Sequence, residues 1–209
     1  VTEAIWTRYM PSRTILTDLI AGGAIGKPYM LTASLAYTIA QVPRLHDPEL
    51  AGGALLDVGV YPINFASMVF GNDILSTDTT VQLMDTGVDQ QESITYTYAD
   101  GSMAVLMASA MFNSDRRAVI YGDKGSLVVN NVNNPTRVEL YDNSRSETPV
   151  KVITMPEQIT GYEYEVQACV RAIENGDLEC PEMPHAETIR IMEQMDALRD
   201  TWGVRYPME

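Results

Sequence analysis

Gly52-Gly53-Ala54-Leu55-Leu56-Asp57-Val58-Gly59-Val60-Tyr61-Pro62-Ile63-Asn64-Phe65-Ala66-Ser67-Met68-Val69-Phe70-Gly71 is the stretch on which the reading of this chain turns. Its apolar character predicts a buried helix, yet Asp57, Tyr61 and Asn64 recur at offsets of four and three and therefore share one helical face. A carboxylate is costly to bury alone, so this stripe either closes a structural hydrogen-bond network or lines a pocket for something polar. Pro62 removes a backbone donor and crowds the carbonyl of Val58, and a kink there would turn Tyr61 away from Asp57. Gly52-Gly53 serves either a tight turn or a close approach of some ligand to the backbone.

Working outward, Ser12 to Ala21 carries Ile15, Leu16, Leu19 and Ile20 at helical spacing, with Ser12 as the expected cap and Gly22-Gly23 as the stop. Tyr29 to Tyr37 alternates as a strand, and Thr38 to Ala51 lacks periodicity and is expected to be a loop. Beyond Ile74 come short β-rich runs: Thr79–Met84, Glu92–Tyr98, Met103–Phe112, Arg117–Tyr121, Ser126–Asn130, Arg137–Tyr141 and Val150–Thr154. Ala99-Asp100-Gly101-Ser102 and Gly122-Asp123-Lys124-Gly125 read as hairpin connections, because glycine supplies the positive φ that such turns need. Two helices follow, one holding Tyr164 to Ile173 and one spanning Thr188 to Thr201. The expected fold is α+β, a mainly antiparallel sheet of about seven strands with helices on one face. No repeat or linker divides the chain, so residues 1–209 are expected to form one domain. Apolar residues on both sides of Tyr29–Tyr37 and Met103–Met111 mark the open face as a candidate dimer interface, unless helices cover it too.

The chain has 14 lysines and arginines against 28 acidic residues, a net charge of −14, with 45% apolar residues. That balance disfavours nucleic acid and anionic membranes as partners. Cys169 and Cys180 lack metal-ligand spacing and read as packing residues in a reducing, cytoplasmic setting. No uninterrupted apolar run approaches the roughly 18 residues of a membrane span, so a soluble protein is expected. Val1 is not an initiator methionine, and the opening reads as the middle of a longer sequence.

His46 and His185 each lack a second ligand at metal spacing, and no metal is assigned. Gly-x-Gly-x-x-Gly after a strand, a phosphate-binding loop, Gly-x-Ser-x-Gly and His-Glu-x-x-His are all absent. Gly22-Gly23-Ala24-Ile25-Gly26 follows a helix and precedes a strand, the reverse of a dinucleotide site.

Three pieces in order carry a resemblance: Glu3-Ala4-Ile5-Trp6-Thr7-Arg8-Tyr9-Met10-Pro11 with its helix and Ile25-Gly26, then Gly52 to Pro62, then Gly203-Val204-Arg205-Tyr206-Pro207. Together they resemble the C-terminal domain of the glucose–fructose oxidoreductase / inositol dehydrogenase / rhizopine catabolism (Gfo/Idh/MocA) family, in particular its dimeric dihydrodiol dehydrogenase and NADP-dependent xylose dehydrogenase branch. The resemblance implies an N-terminal Rossmann domain, which this chain lacks, that binds NADP or NAD and contributes a lysine. It implies hydride transfer between the nicotinamide and a sugar, polyol or dihydrodiol, with Tyr61 as acid/base and Asp57 positioning substrate. Arg8, Arg44 and Tyr164 fall in segments that border the family's substrate pocket, and subunits pair through the open sheet face as homodimers or larger homo-oligomers. A tyrosine titrates near pH ~10 and an acidic chain raises that further, so the phenolate form needs a nearby cation, which the lysine and the oxidised ring would supply. The chain alone is therefore expected to be inactive. Two other readings stand beside this one: a non-catalytic sugar-binding or dimerisation module, and a purely structural role for Asp57 and Tyr61.

Overall fold

The computed structural model describes residues 1–144 and 146–209. A 3-10 turn at Trp6–Arg8 leads into helix α1 (Pro11–Ala21), strand β1 (Pro28–Ala36) and a short helix α2 (Pro43–His46). A second 3-10 turn (Pro48–Leu50) and a π-helical turn (Leu55–Gly59) precede helix α3 (Val60–Phe70). Strands β2 (Ile74–Leu83), β3 (Asp89–Tyr98), β4 (Met103–Ser109), β5 (Ala118–Gly122), β6 (Gly125–Val129), β7 (Arg137–Asp142) and β8 (Lys151–Thr154) follow, then helices α4 (Glu163–Asn175) and α5 (His185–Trp202).

Helix α1 begins one residue earlier than its expected cap. Met10 is the N-cap with no side-chain hydrogen bond, Pro11 takes the first helical position, and Ser12 is buried. Proline suits that position because its missing N–H would be unpaired there anyway. The segment expected as a loop, Thr38 to Ala51, holds α2 and a 3-10 turn, both with a proline at the start. Neither is long enough to show a helical period.

The eight strands form one sheet in the order β2-β3-β4-β1-β5-β6-β7-β8. Consecutive strands pair antiparallel, as the hairpin turns require, except that β1 lies between β4 and β5. It runs parallel to β4, with Met30 opposite Met103 and Ala36 opposite Ser109. A parallel neighbour needs a long crossover, and here α2, the π-turn, α3 and the β2–β3 hairpin provide it.

Alternation separates the two sheet faces. Leu31, Ala33, Leu35, Ile94, Ala104, Leu106, Ile120 and Leu127 are buried beneath the helices, with α3 lying on β1 and β4 and α5 packing on α3. The other face carries Met30, Thr32, Ser34, Val105, Met107, Val119 and Tyr121, none of them buried. The helical stretch Pro48–Phe70 is by length and composition apolar enough to cross a membrane, with a mean hydropathy of 1.4. It is broken into three helical pieces, and 67% of its apolar window is buried inside the protein, as suits a core helix.

Candidate active site

The Gly-Gly pair that opens the central stretch is needed where the chain meets itself. A Cβ on Gly52 would stand 2.7 Å from the carbonyl oxygen of Leu45. Its own carbonyl accepts a 2.8 Å bond from the Tyr206 hydroxyl, tying the closing segment of the chain to the start of this helix. Gly53 has φ +111, and a Cβ there would lie 2.3 Å from Asp89 Oδ1. Asp89, at the head of β3, accepts the Leu55 N–H at Oδ2 (2.6 Å) and the Ala54 N–H at its carbonyl (2.9 Å). Burial pushes the Asp89 carboxyl up, and these amide bonds oppose the rise. Beside it, Glu92 is buried with neither carboxylate oxygen hydrogen-bonded among the described residues. A Cβ on Gly59 would stand 2.7 Å from Glu92 Oε1, so Gly59 lets the helix settle onto that carboxyl.

Pro62 follows a π-turn. The Val60 N–H reaches back five residues to the Leu55 carbonyl just ahead of the proline, and α3 then continues to Phe70. Such a widened turn breaks the 3.6-residue period, so the expected single polar stripe divides. Asp57, within the π-turn, forms an ion pair with Arg44 of α2, while Asn64 is fully buried.

Asn64 faces a closed network. Arg8 donates from Nε to Asn64 Oδ1 (2.6 Å) and from Nη2 to Ser67 Oγ (3.0 Å) and Glu187 Oε1 (2.6 Å). Asn72 and Arg190 complete the shell of Glu187 at 3.1 and 2.6 Å from Oε2. Desolvation raises the Glu187 carboxyl, but the bonds from Ser67, Arg8 and Asn72 hold it below the usual value. Arg8 is 4% exposed, so it reaches the site only through Asn64 and α3.

Tyr61 sits between these two halves, half-buried among aromatic rings. Trp6 and Tyr162 stack at 4.4 Å between centroids and 21° between planes. Trp6 Nε1 donates to Asn133 Oδ1 (3.1 Å), and Asn133 Nδ2 donates to the Tyr37 hydroxyl (3.3 Å). Gly161, at φ +99, lies flush on Trp6, where a Cβ would come within 2.8 Å of Cζ3. The loop before α4 is pinned by Glu163, whose carboxylate accepts the N–H groups of Ile159, Thr160 and Gly161. Desolvation pushes that carboxyl up, and its own amide together with these three holds it down to about 2. Burial raises the Tyr61 phenol, the nearby Trp6 N–H opposes the rise, and Tyr162, Asp57 and Tyr37 add to it. Tyr61 thus keeps its phenolic proton at pH 7.

Of the residues singled out in the sequence, Arg44 pairs with Asp57, and Asp57 lies near enough to Tyr61 to add to the rise of its phenol. Arg8 is inside the protein, and Tyr164 packs partly buried against the core. Trp6, Tyr37, Asn133 and Tyr162 join the site unforeseen: Trp6 was quoted only for resemblance, and the others lie far away in sequence within segments read as strand, turn or loop. His46 ends α2, and among the described residues no group of three or more His, Cys, Asp or Glu side chains could hold a metal.

Residues 15–128 match the family model described as the GFO/IDH/MocA C-terminal domain. Among curated proteins, trans-1,2-dihydrobenzene-1,2-diol dehydrogenase of Mus musculus is 28% identical over 211 residues, covering 99% of this chain. The protein of the same name from Xenopus laevis is 32% identical over 210 residues, covering 98% of this chain. The chain spans only 63% of the length of either relative. Among solved structures, a 3-ketoreductase from Actinomadura kijaniata in complex with NADP and TDP-benzene superposes with a TM-score of 0.82 at 22% identity, over 96% of this chain and 62% of that one. An aldose–aldose oxidoreductase from Caulobacter crescentus complexed with glycerol gives 0.80 at 16% identity, over 93% of this chain and 59% of that one.

Proposed function

The chain belongs to the GFO/IDH/MocA family, and from that premise we propose that residues 1–209 are the substrate-binding and oligomerisation domain of an NAD(P)-dependent oxidoreductase acting on a sugar, polyol or dihydrodiol. The observation that carries this reading is the neutral Tyr61 phenol, set beside the Asp57–Arg44 pair and walled by Trp6, Tyr37 and Tyr162. The single core cluster from Ile5 to Tyr206 supports treating the chain as one domain.

The residues present fit the reacting half of a nicotinamide cofactor: flat apolar walls and one proton donor, with no phosphate-binding loop in the sequence. Arg44 and Asp57 border that space, and the nucleotide half would be held by the Rossmann domain that the resemblance implies. When bound, NAD(P)H supplies a hydride to the substrate carbonyl carbon, or NAD(P)+ accepts one from the alcohol.

Tyr61 donates its phenolic proton to the carbonyl oxygen in the reducing direction; its raised pKa keeps that proton in place at neutral pH. In the oxidising direction Tyr61 must accept that proton as phenolate, and a cation is needed beside it. Arg44 is already balanced by Asp57, and the lysine that the resemblance implies would supply that charge. The free carboxylate oxygen of Asp57 accepts a hydrogen bond from a substrate hydroxyl and fixes the ring relative to Tyr61. Tyr162, backed by its stack on buried Trp6, presents its outer ring face to the apolar side of the substrate, and Tyr37, oriented by Asn133, closes the wall. Arg8 acts as a positioning residue through Asn64, and Tyr164 supports the segment that carries Tyr162.

The test is Tyr61→Phe in the full-length protein. Turnover should fall about 10²- to 10⁴-fold, as expected for loss of a positioned acid, with KM little changed. Undiminished turnover on the true substrate would overturn the assignment. Assembly through the open sheet face, at least as a dimer, belongs to the same proposal and is supported by exposed Val105 and Tyr121 at its centre. A cytoplasmic setting is supported by two free cysteines.

A further inference from the structure

A cleft of about 340 Å³ lies between α5 and the outer strands β2 and β3; two of its lining residues, Asn72 and Arg190, also hold Glu187, and none is Tyr61 or one of the residues around it. Its size falls within the roughly 300–1,000 Å³ of small-ligand sites. Ile74, Leu198 and the ring of Tyr96 supply apolar surface, and Thr77, Asn72 and Gln194 supply hydroxyl and amide groups. Tyr96 is only 2% exposed, yet its hydroxyl has no hydrogen-bond partner among the described residues. A buried hydroxyl without a partner is rare in a folded protein, and one on the wall of a cleft can be satisfied by a molecule placed there.

The charges define what that molecule is. Arg190 lines the cleft but donates to Glu187 Oε2 at 2.6 Å, so its charge is already balanced. Glu193 adds a carboxylate to the same lining, which opposes an anion. Gln194 Nε2 donates to Asn72 Oδ1 (3.3 Å) and Asn72 Nδ2 to Glu187 Oε2 (3.1 Å), which leaves Gln194 Oε1 and the Thr77 and Tyr96 hydroxyls to meet a ligand, beside apolar surface suited to the C–H face of a sugar. We propose that this cleft is a second binding site, distinct from the Tyr61 centre, for a neutral polyhydroxylated molecule such as a monosaccharide or acyclic polyol.

Titrating the 209-residue chain with D-xylose and with myo-inositol, and separately with inorganic phosphate, tests this by NMR of the Asn72 and Gln194 side-chain amides. At least one of the two polyols should shift both amides, and phosphate should shift neither. Tyr96→Phe, and Gln194→Leu read at the Asn72 amide that it retains, should each weaken the response about tenfold in apparent Kd, while Tyr61→Phe should leave it unchanged. Thermal unfolding run alongside should show Tyr96→Phe no less stable than the wild type, since it removes an unpaired buried hydroxyl. If Tyr96→Phe failed to fold, Gln194→Leu alone would decide. The proposal is overturned if neither polyol shifts the amides, if phosphate does so instead, or if the response survives the folded cleft variants. Because the readout is binding at Asn72 and Gln194, it is independent of whether Tyr61 proves catalytic.

Discussion

Glu92 is the residue at which local chemistry and fold are most at odds. It lies on the same side of β3 as Ile94, Tyr96 and Tyr98, all core positions, and its carboxyl meets Gly59 with no hydrogen-bond partner among the described residues. Burial, with Asp89 adding to it, pushes its pKa well above 4.5, so the folded protein keeps a proton that the unfolded chain releases. A folded-state pKa above the unfolded value contributes stability that is complete below about pH 4.5 and is lost as the pH rises toward the folded value. Glu92→Gln keeps the shape without the titration. Its Tm should therefore exceed the wild type's at pH 7, by about 2–4 °C for each kcal/mol gained, and the advantage should shrink toward pH 4. Thermal unfolding of both proteins across that range checks this, and an advantage independent of pH would count against it. In the sequence, Glu92 was a charged residue in phase with a core stripe, a signal that went unread. Asp57 and Tyr61 were readable because each stands in an apolar run. Asp89 was not, because its role as acceptor for the Ala54 and Leu55 amides depends on a segment more than thirty residues away.

At the scale of elements, the buried Arg8–Glu187 pair joins the N-terminal turn, α3 and the first turn of α5. Removing one partner strands the other charge in the interior, which costs about 3–5 kcal/mol, whereas replacing both with apolar residues is often neutral. Glu187→Ala should therefore lower Tm sharply, and Arg8→Met combined with Glu187→Leu should recover most of the loss. A double variant as unstable as Glu187→Ala would show that Asn64 and Ser67 need the guanidinium itself. Neither residue was recognisable as a structural pair, because 179 positions separate them. The strands were legible, since alternation and the Asp-Gly and Gly-rich turns are local properties. The π-turn was not, because the offsets of Asp57, Tyr61 and Asn64 were read on an unbroken helical period. Pro62 was the cue that the backbone would depart from a regular helix, and the departure takes the form of a π-turn just ahead of it.

Across the whole molecule, the antiparallel meander was legible but the position of β1 was not, since no local pattern records that a strand from the first forty residues enters between β4 and β5. That insertion shapes the open face. It aligns Val105, Thr32, Val119 and Val128 in one row across β4, β1, β5 and β6, and Met103, Met30, Tyr121 and Ser126 in the next. Two adjacent rows rich in Val, Met and Tyr make an apolar band across the middle of the sheet, with Tyr121 44% and Val105 37% exposed. A standard interface buries about 800 Å² per partner, and a band spanning four strands lies at the centre of a face large enough to provide it. Sedimentation velocity at micromolar concentration should therefore show the 209-residue chain as a dimer. Val105→Glu with Tyr121→Glu places like charges on the band of each subunit, where pairing would bury them against one another, so this variant should sediment as a monomer. Both side chains are partly exposed in the single chain, so its circular dichroism should not change. A wild-type monomer, or a variant that still pairs, would move the contact off this face.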